Sequence, residues 1–144
     1  MTVIHFDSTN IDVLNKSIKN KCIFLLIYME DCEPCNRTKP EWMKIENILK
    51  KKDNNIIIGD VEQSNLPKLT NLKYNVTSYP TMIKISNKGK NIKTIEEDNI
   101  NERNIESFIK WISKNKNKTY SKTRKGKKKN KKKTKKEKKH LLKE

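Results

Sequence analysis

The run Cys22-Ile-Phe-Leu-Leu-Ile-Tyr-Met29, followed at once by Glu30-Asp-Cys-Glu-Pro-Cys35, governs how the rest of the chain is read. Eight apolar residues in a row, several of them β-branched or aromatic, suit a strand buried on both faces in a parallel or mixed central sheet. The pattern after Cys35 is helical through Ile45, Ile48 and Leu49, with Pro40 inside it, where it should kink the helix. A Cys-x-x-Cys at such a junction sets both sulfurs in the first helical turn, on one side. Cys32, at the helix start, lies near unpaired N–H groups and the positive end of the dipole, which favour a thiolate. A thiolate is the nucleophile of thiol–disulfide exchange, and a second cysteine resolves the mixed disulfide. Between the two, Pro34 suits a first-turn position and, beside Glu33, restricts the intervening loop.

Upstream, Val3–Phe6 is a short apolar run ended by the cap and turn cluster Asp7-Ser-Thr-Asn10, and Ile11, Leu14 and Ile18 predict a helix from about Thr9 to Lys19. Downstream, Asn55–Val61 reads as a second buried strand, and Ser64 as the cap of a helix carrying Leu66, Leu69 and Leu72. Thr81–Ile85 and Asn91–Ile95 read as strands around the hairpin turn Asn87-Lys-Gly89. Ile105, Phe108, Ile109 and Ile112 form the stripe of a last amphipathic helix. The order β-α-β-α-β-α-β-β-α over residues 1–113 predicts an α/β domain, one mixed sheet flanked by helices on both sides.

Charge divides the 144 residues sharply. The whole chain is +17, but residues 1–113 contribute only +2 and residues 114–144 contribute +15. Beyond Ser113 the large apolar residues are Tyr120, Leu141 and Leu142, too few to offset ordering entropy, so 114–144 is expected to be a disordered Lys-rich tail. The absence of alanine, with 18 Ile, 18 Asn and 31 Lys, matches A/T-rich coding and accounts for part of the lysine excess. No run approaches the ~18–20 apolar residues of a membrane span, and the start has no signal-peptide pattern. Three cysteines are too sparse and too odd for a disulfide scaffold. A reducing intracellular setting is therefore expected, cytoplasmic, or alternatively nuclear or, for a large DNA virus, in the virion.

The strand–Cys-x-Pro-Cys–helix arrangement resembles thioredoxin, and further landmarks share the resemblance. They are Pro40, Asp60-Val-Glu62, Val76-Thr-Ser-Tyr-Pro-Thr81 and Asn87-Lys-Gly89. The resemblance covers residues 1–113 and implies the three-layer thioredoxin-like fold. It implies Cys32 as attacking and Cys35 as resolving cysteine, a cis Pro80 facing them, and Tyr79 offering backbone hydrogen bonds to an extended substrate segment. The activity implied is thiol–disulfide oxidoreduction on disulfide-containing protein substrates, with no metal or organic cofactor. Electrons would come from a thioredoxin reductase or a thiol pool. Against the family pattern, Asp31 replaces a Trp, Glu33 a Gly, Leu26 a buried acid, and Glu97 falls near a late glycine. Glu30, Asp31 and Glu33 oppose ionisation of Cys32 by like charge, with Arg37 and Lys39 as partial offsets, so a reductant or isomerase-like exchanger is expected.

Other readings stand beside this one. Cys32 and Cys35 could be half a zinc site, with Cys22, His5 and His140 as the remaining candidates, although Cys22 in an apolar strand reads better as a small buried hydrophobe. A redox-inert domain that keeps its cysteines is the alternative function, with the tail binding nucleic acid or an acidic partner. Lys127-Lys-Lys129 and Lys131-Lys-Lys133 resemble nuclear-import clusters, whereas a solvated tail is the plainer account and a membrane-surface role lacks anchoring residues. Glu30, Asp31, Glu33 and Glu96–Asp98 are expected to rim the active site, where they could attract the tail or basic substrates. Trp42 and Trp111 are expected to pack, and His5 has no partner that the sequence names.

Overall fold

Five strands, β1 (Val3–Phe6), β2 (Cys22–Tyr28), β3 (Ile56–Glu62), β4 (Thr81–Ser86) and β5 (Asn91–Thr94), form one sheet in the order β1-β3-β2-β4-β5. The structure, a computed structural model, describes residues 1–123, and side chains through Asn115. β1, β3 and β2 run parallel, while β4 is antiparallel to β2 and β5 to β4, so the sheet is mixed. All seven residues of β2 are buried, which explains its unbroken apolar run: each side chain enters one of two cores.

One face carries Phe24, Leu26, Ile58 and Met82 beneath Trp42, Phe108 and Trp111, from helices α2 (Glu33–Met43) and α4 (Ile105–Thr123). The other carries Ile23, Leu25, Ile27, Ile83 and Ile85 against Leu14 of helix α1 (Ile11–Ser17) and Ile18 just beyond it. Each such buried side chain contributes about 1.5–3 kcal/mol. The two tryptophans pack, as their helical positions suggest. Their ring centroids are 6.5 Å apart, and Trp42 donates its indole N–H to the Gly59 carbonyl at 3.0 Å. This is the three-layer α/β architecture expected of the sequence.

Two local expectations fail. The segment after Ser64 is not an α-helix but a 3₁₀ helix over Gln63–Lys68, and Glu62 rather than Ser64 caps it, accepting the Ser64 N–H at 3.0 Å. Pro67 lies inside it and has no N–H to give, so the leucine spacing does not propagate into a helix. The helix expected to run to Leu49 is also interrupted. The Lys44 N–H turns to Glu41 O at 3.2 Å, three residues back, and a separate short helix, α3 (Ile45–Ile48), follows.

Asn87, Lys88 and Gly89 have φ of +54°, +59° and +85°, the left-handed backbone of the tight turn between β4 and β5. The sheet with both its cores lies within residues 1–113. The α4 backbone continues to Thr123, past the last apolar stripe residue, Ile112, through lysine-rich sequence of good helix propensity. Most of the tail expected to be disordered, including both lysine triplets and His140, lies outside the described residues.

Candidate active site

β2 ends at Tyr28, and α2 begins five residues later at Glu33. Asp31 makes the reversal with φ +56°, a left-handed conformation that Asp tolerates better than most residues. Cys32 follows as the N-cap of α2, and its Sγ accepts the Cys35 N–H at 3.3 Å. Pro34 occupies the first turn, where a missing N–H costs nothing. Cys32 and Cys35 are joined as a disulfide with Cα atoms 5.2 Å apart. Cys32 keeps 7% of its surface exposed and Cys35 none, so Cys32 is the member of the pair nearer solvent.

The Tyr79–Pro80 peptide bond is cis, and Tyr79 packs with Tyr28 against both cysteines. The Tyr79 carbonyl oxygen lies 3.9 Å from Cys32 Sγ, placed to accept a thiol hydrogen when the pair is reduced. Cys32, Cys35, Glu33, Pro34, Tyr79 and Pro80, singled out from the sequence, therefore gather around one turn. Leu26 is fully buried in β2, and no carboxylate takes its place on that strand.

Sequence reasoning named Lys39 only as an offset to the acids around Cys32, and it missed the place of Tyr28 and the partner of His5. Tyr28 forms part of the wall behind the cysteines, and the Lys39 ammonium sits 3.9 Å from its ring centroid. Burial, then the negative charges of Asp60, Glu30 and Glu62, pushes the Tyr28 hydroxyl up to about 12. His5 Nδ1 lies 2.5 Å from Asp60 Oδ1. Burial raises the Asp60 carboxyl above its ordinary range, and the His5 hydrogen bond together with the charges of His5 and Lys39 draws it partly back. A signal did exist: acidic and basic residues at strand positions whose neighbours are all apolar.

The expected acidic rim holds only in part. Glu30, Asp31 and Glu33 are exposed, but Arg37 pairs with Glu33 at 2.8 Å one turn along α2 and so does not offset the other two. Asp98 is buried and accepts the Trp111 indole N–H, so it belongs to the core and not to a rim. Among the described residues, no group of three or more His, Cys, Asp or Glu side chains is placed to hold a metal ion, and Cys22 is buried in the core. No helix among them is long and apolar enough to cross a membrane.

A family model described as thioredoxin matches residues 3–113. The zinc-bound form of human ERp44 is similar in structure, with a TM-score of 0.59 at 14% identity, over 78% of this chain and 31% of that one. The J-Trx1 fragment of ERdj5 gives 0.56 at 18% identity, over 78% and 49%. The first thioredoxin domain of mouse protein disulfide-isomerase A4 gives 0.53 at 23% identity, over 73% and 69%. The chain thus spans about a third of the ERp44 chain, and at these identities the likeness is one of fold. No curated protein sequence matches it.

Proposed function

The chain belongs to the thioredoxin family, and on that premise we propose that it exchanges its Cys32–Cys35 disulfide and dithiol with disulfide bonds of protein substrates. The observation that carries this reading is the asymmetry of the pair: Cys32 at the N-cap of α2 with part of its surface exposed, Cys35 with none. In the reducing direction the Cys32 thiolate attacks a substrate disulfide, one substrate sulfur leaves as a thiolate, and a mixed disulfide forms. Cys35 then loses its proton and attacks Cys32 Sγ, closing the intramolecular disulfide and releasing the second substrate thiolate. The helix start favours the Cys32 thiolate, while exposed Glu30 and Asp31 oppose it. Weak thiolate stabilisation leaves the disulfide form favoured, which suits a reductant or isomerase more than an oxidant.

A thioredoxin reductase or a thiol pool would return the electrons, in a reducing compartment. The Lys-rich tail would serve as a polycation for nucleic acid or an acidic partner, read out as binding that weakens steeply with salt. The test is reduction of insulin disulfides by the full chain with a dithiol donor. Turnover by the wild type and none by Cys32→Ser supports exchange. No turnover by the wild type points instead to a redox-inert binding module.

A further inference from the structure

Across the sheet face beneath α2, four residues stand in register on neighbouring strands: His5 on β1, Asp60 on β3, Leu26 on β2 and Met82 on β4. The carboxylate of this row is thus one strand, about 4.8 Å, to the side of the apolar Leu26. It is 5% exposed, while its partner His5 is 55% exposed and opens to water. On α2, Lys39 follows Cys35 by four residues, which places both on one face of the helix. Its ammonium is seated on the ring of Tyr28, and Tyr28 packs against both cysteines. A single cation therefore stands against the wall of the dithiol, near enough to the Asp60 carboxylate for its charge to act on it.

Such a cation answers a specific difficulty in the exchange reaction. Cys35 is wholly buried, and burial disfavours the thiolate it must become to resolve a mixed disulfide. With Leu26 apolar, nothing on β2 below it offers a charge or a proton acceptor. We propose that Lys39 stabilises the anion of Cys35 during resolution, and that Asp60, itself held by His5, is the positioning residue that keeps the ammonium against Tyr28. This rests on the thiol–disulfide exchange reading above.

The charges that face the cluster fix its pH behaviour. His5 and Asp60 meet from β1 and β3, Lys39 faces them from α2, and Glu30 and Glu62 act on Tyr28 from the ends of β2 and β3. On α2 itself, Glu33 and Arg37 pair with each other.

The step is measured with oxidised glutathione as the probe. The reduced full chain is mixed with it, the reaction is quenched in acid over time, and the Cys32–glutathione adduct is separated by mass from the closed Cys32–Cys35 disulfide. In resolution the Cys35 proton goes to solvent, the Cys35–Cys32 bond forms, and the bond from Cys32 to glutathione breaks. Glutathione leaves with the electron pair and takes a proton from water. Lys39→Gln is expected to resolve the adduct about tenfold more slowly at neutral pH, a larger loss than in adduct formation, with the pH profile of resolution displaced upward by about one pH unit. Lys39→Arg should restore the profile, and Asp60→Asn should displace it in the same direction as Lys39→Gln while melting as one cooperative unit. Profiles for Lys39→Gln that superimpose on the wild type would overturn the proposal and leave the exchange reading intact. A wild-type chain that forms no glutathione adduct would overturn both.

Discussion

Trp111 donates its indole N–H to Asp98 Oδ2 at 2.9 Å, with both residues inside the core. Asp98 stands in a 3₁₀ turn over Glu96–Asp98 and also receives Lys93 Nζ at 3.4 Å, so one buried carboxylate ties β5 and the following turn to α4. Removing the acceptor strands a buried donor, which costs about 1–3 kcal/mol. Asp98→Ala should lower the urea midpoint accordingly and leave the slope of the transition unchanged. A midpoint equal to the wild type would mean that the indole finds another partner.

Gly59 sits in β3 where a methyl group has no room. An added Cβ would lie 2.5 Å from Phe6 Cε2 and 2.7 Å from the Ile4 carbonyl oxygen. One of these contacts is backbone, so the strain cannot be relieved by side-chain rotation alone. Gly59→Ala is expected to destabilise the fold by roughly 1–3 kcal/mol, as overpacking does. Thermal melting checks this, and an unchanged midpoint would show that β1 yields more easily than its neighbours suggest.

Alkaline titration should separate Tyr28 from an ordinary tyrosine. Its hydroxyl is pushed from 10.0 up to about 12, first by burial and then by the charges of Asp60, Glu30 and Glu62. An acid whose folded value is raised binds its proton more tightly in the native state. Stability therefore falls as pH rises through that window, from about 10 towards about 12. Tyr28→Phe should reduce the alkaline loss and delete the late phase of tyrosinate absorbance. Persistence of that phase would assign it to another residue.

Asp31→Asn keeps a side chain that accepts the left-handed backbone and removes one of the two exposed acids that Arg37 does not meet. At ~6 Å in a water-like dielectric one charge is worth about 0.7 kcal/mol, roughly threefold in thiolate fraction. Reduced Asp31→Asn should therefore form the Cys32 thiolate at lower pH, followed by ultraviolet absorbance with Cys32→Ser as the blank. A shift in the other direction would show that Asp31 acts through backbone geometry and not charge.

Much of this was legible in the chain. The apolar run Cys22–Met29 announces a central strand because all of its side chains have a core to enter, and the β4–β5 turn is announced by Asn87-Lys-Gly89. The cysteine pair was legible because its spacing at a strand-to-helix junction has few other uses. What was not legible depends on strand order. His5 and Asp60 are separated by 54 intervening residues and meet only because β1 pairs with β3 in parallel register. Lys39 reads as a partial offset to the acids around Cys32 until the turn of α2 places it on Tyr28. The spacing of Leu66, Leu69 and Leu72 predicts an α-helix, whereas Pro67, with no N–H to give, leaves a 3₁₀ helix over Gln63–Lys68.

The sheet order has a consequence for how the molecule opens. β2 is paired on both sides along its length and suspends the cysteine turn from its end, whereas β1 and β5 are four-residue edges with one neighbour each. Amide exchange with heavy water should reach the edges by local fraying and β2 only through global opening. The cysteine turn is then expected to hang from the slowest-exchanging strand of the described residues. The margins can fray and re-form many times over while the two sulfurs keep their places.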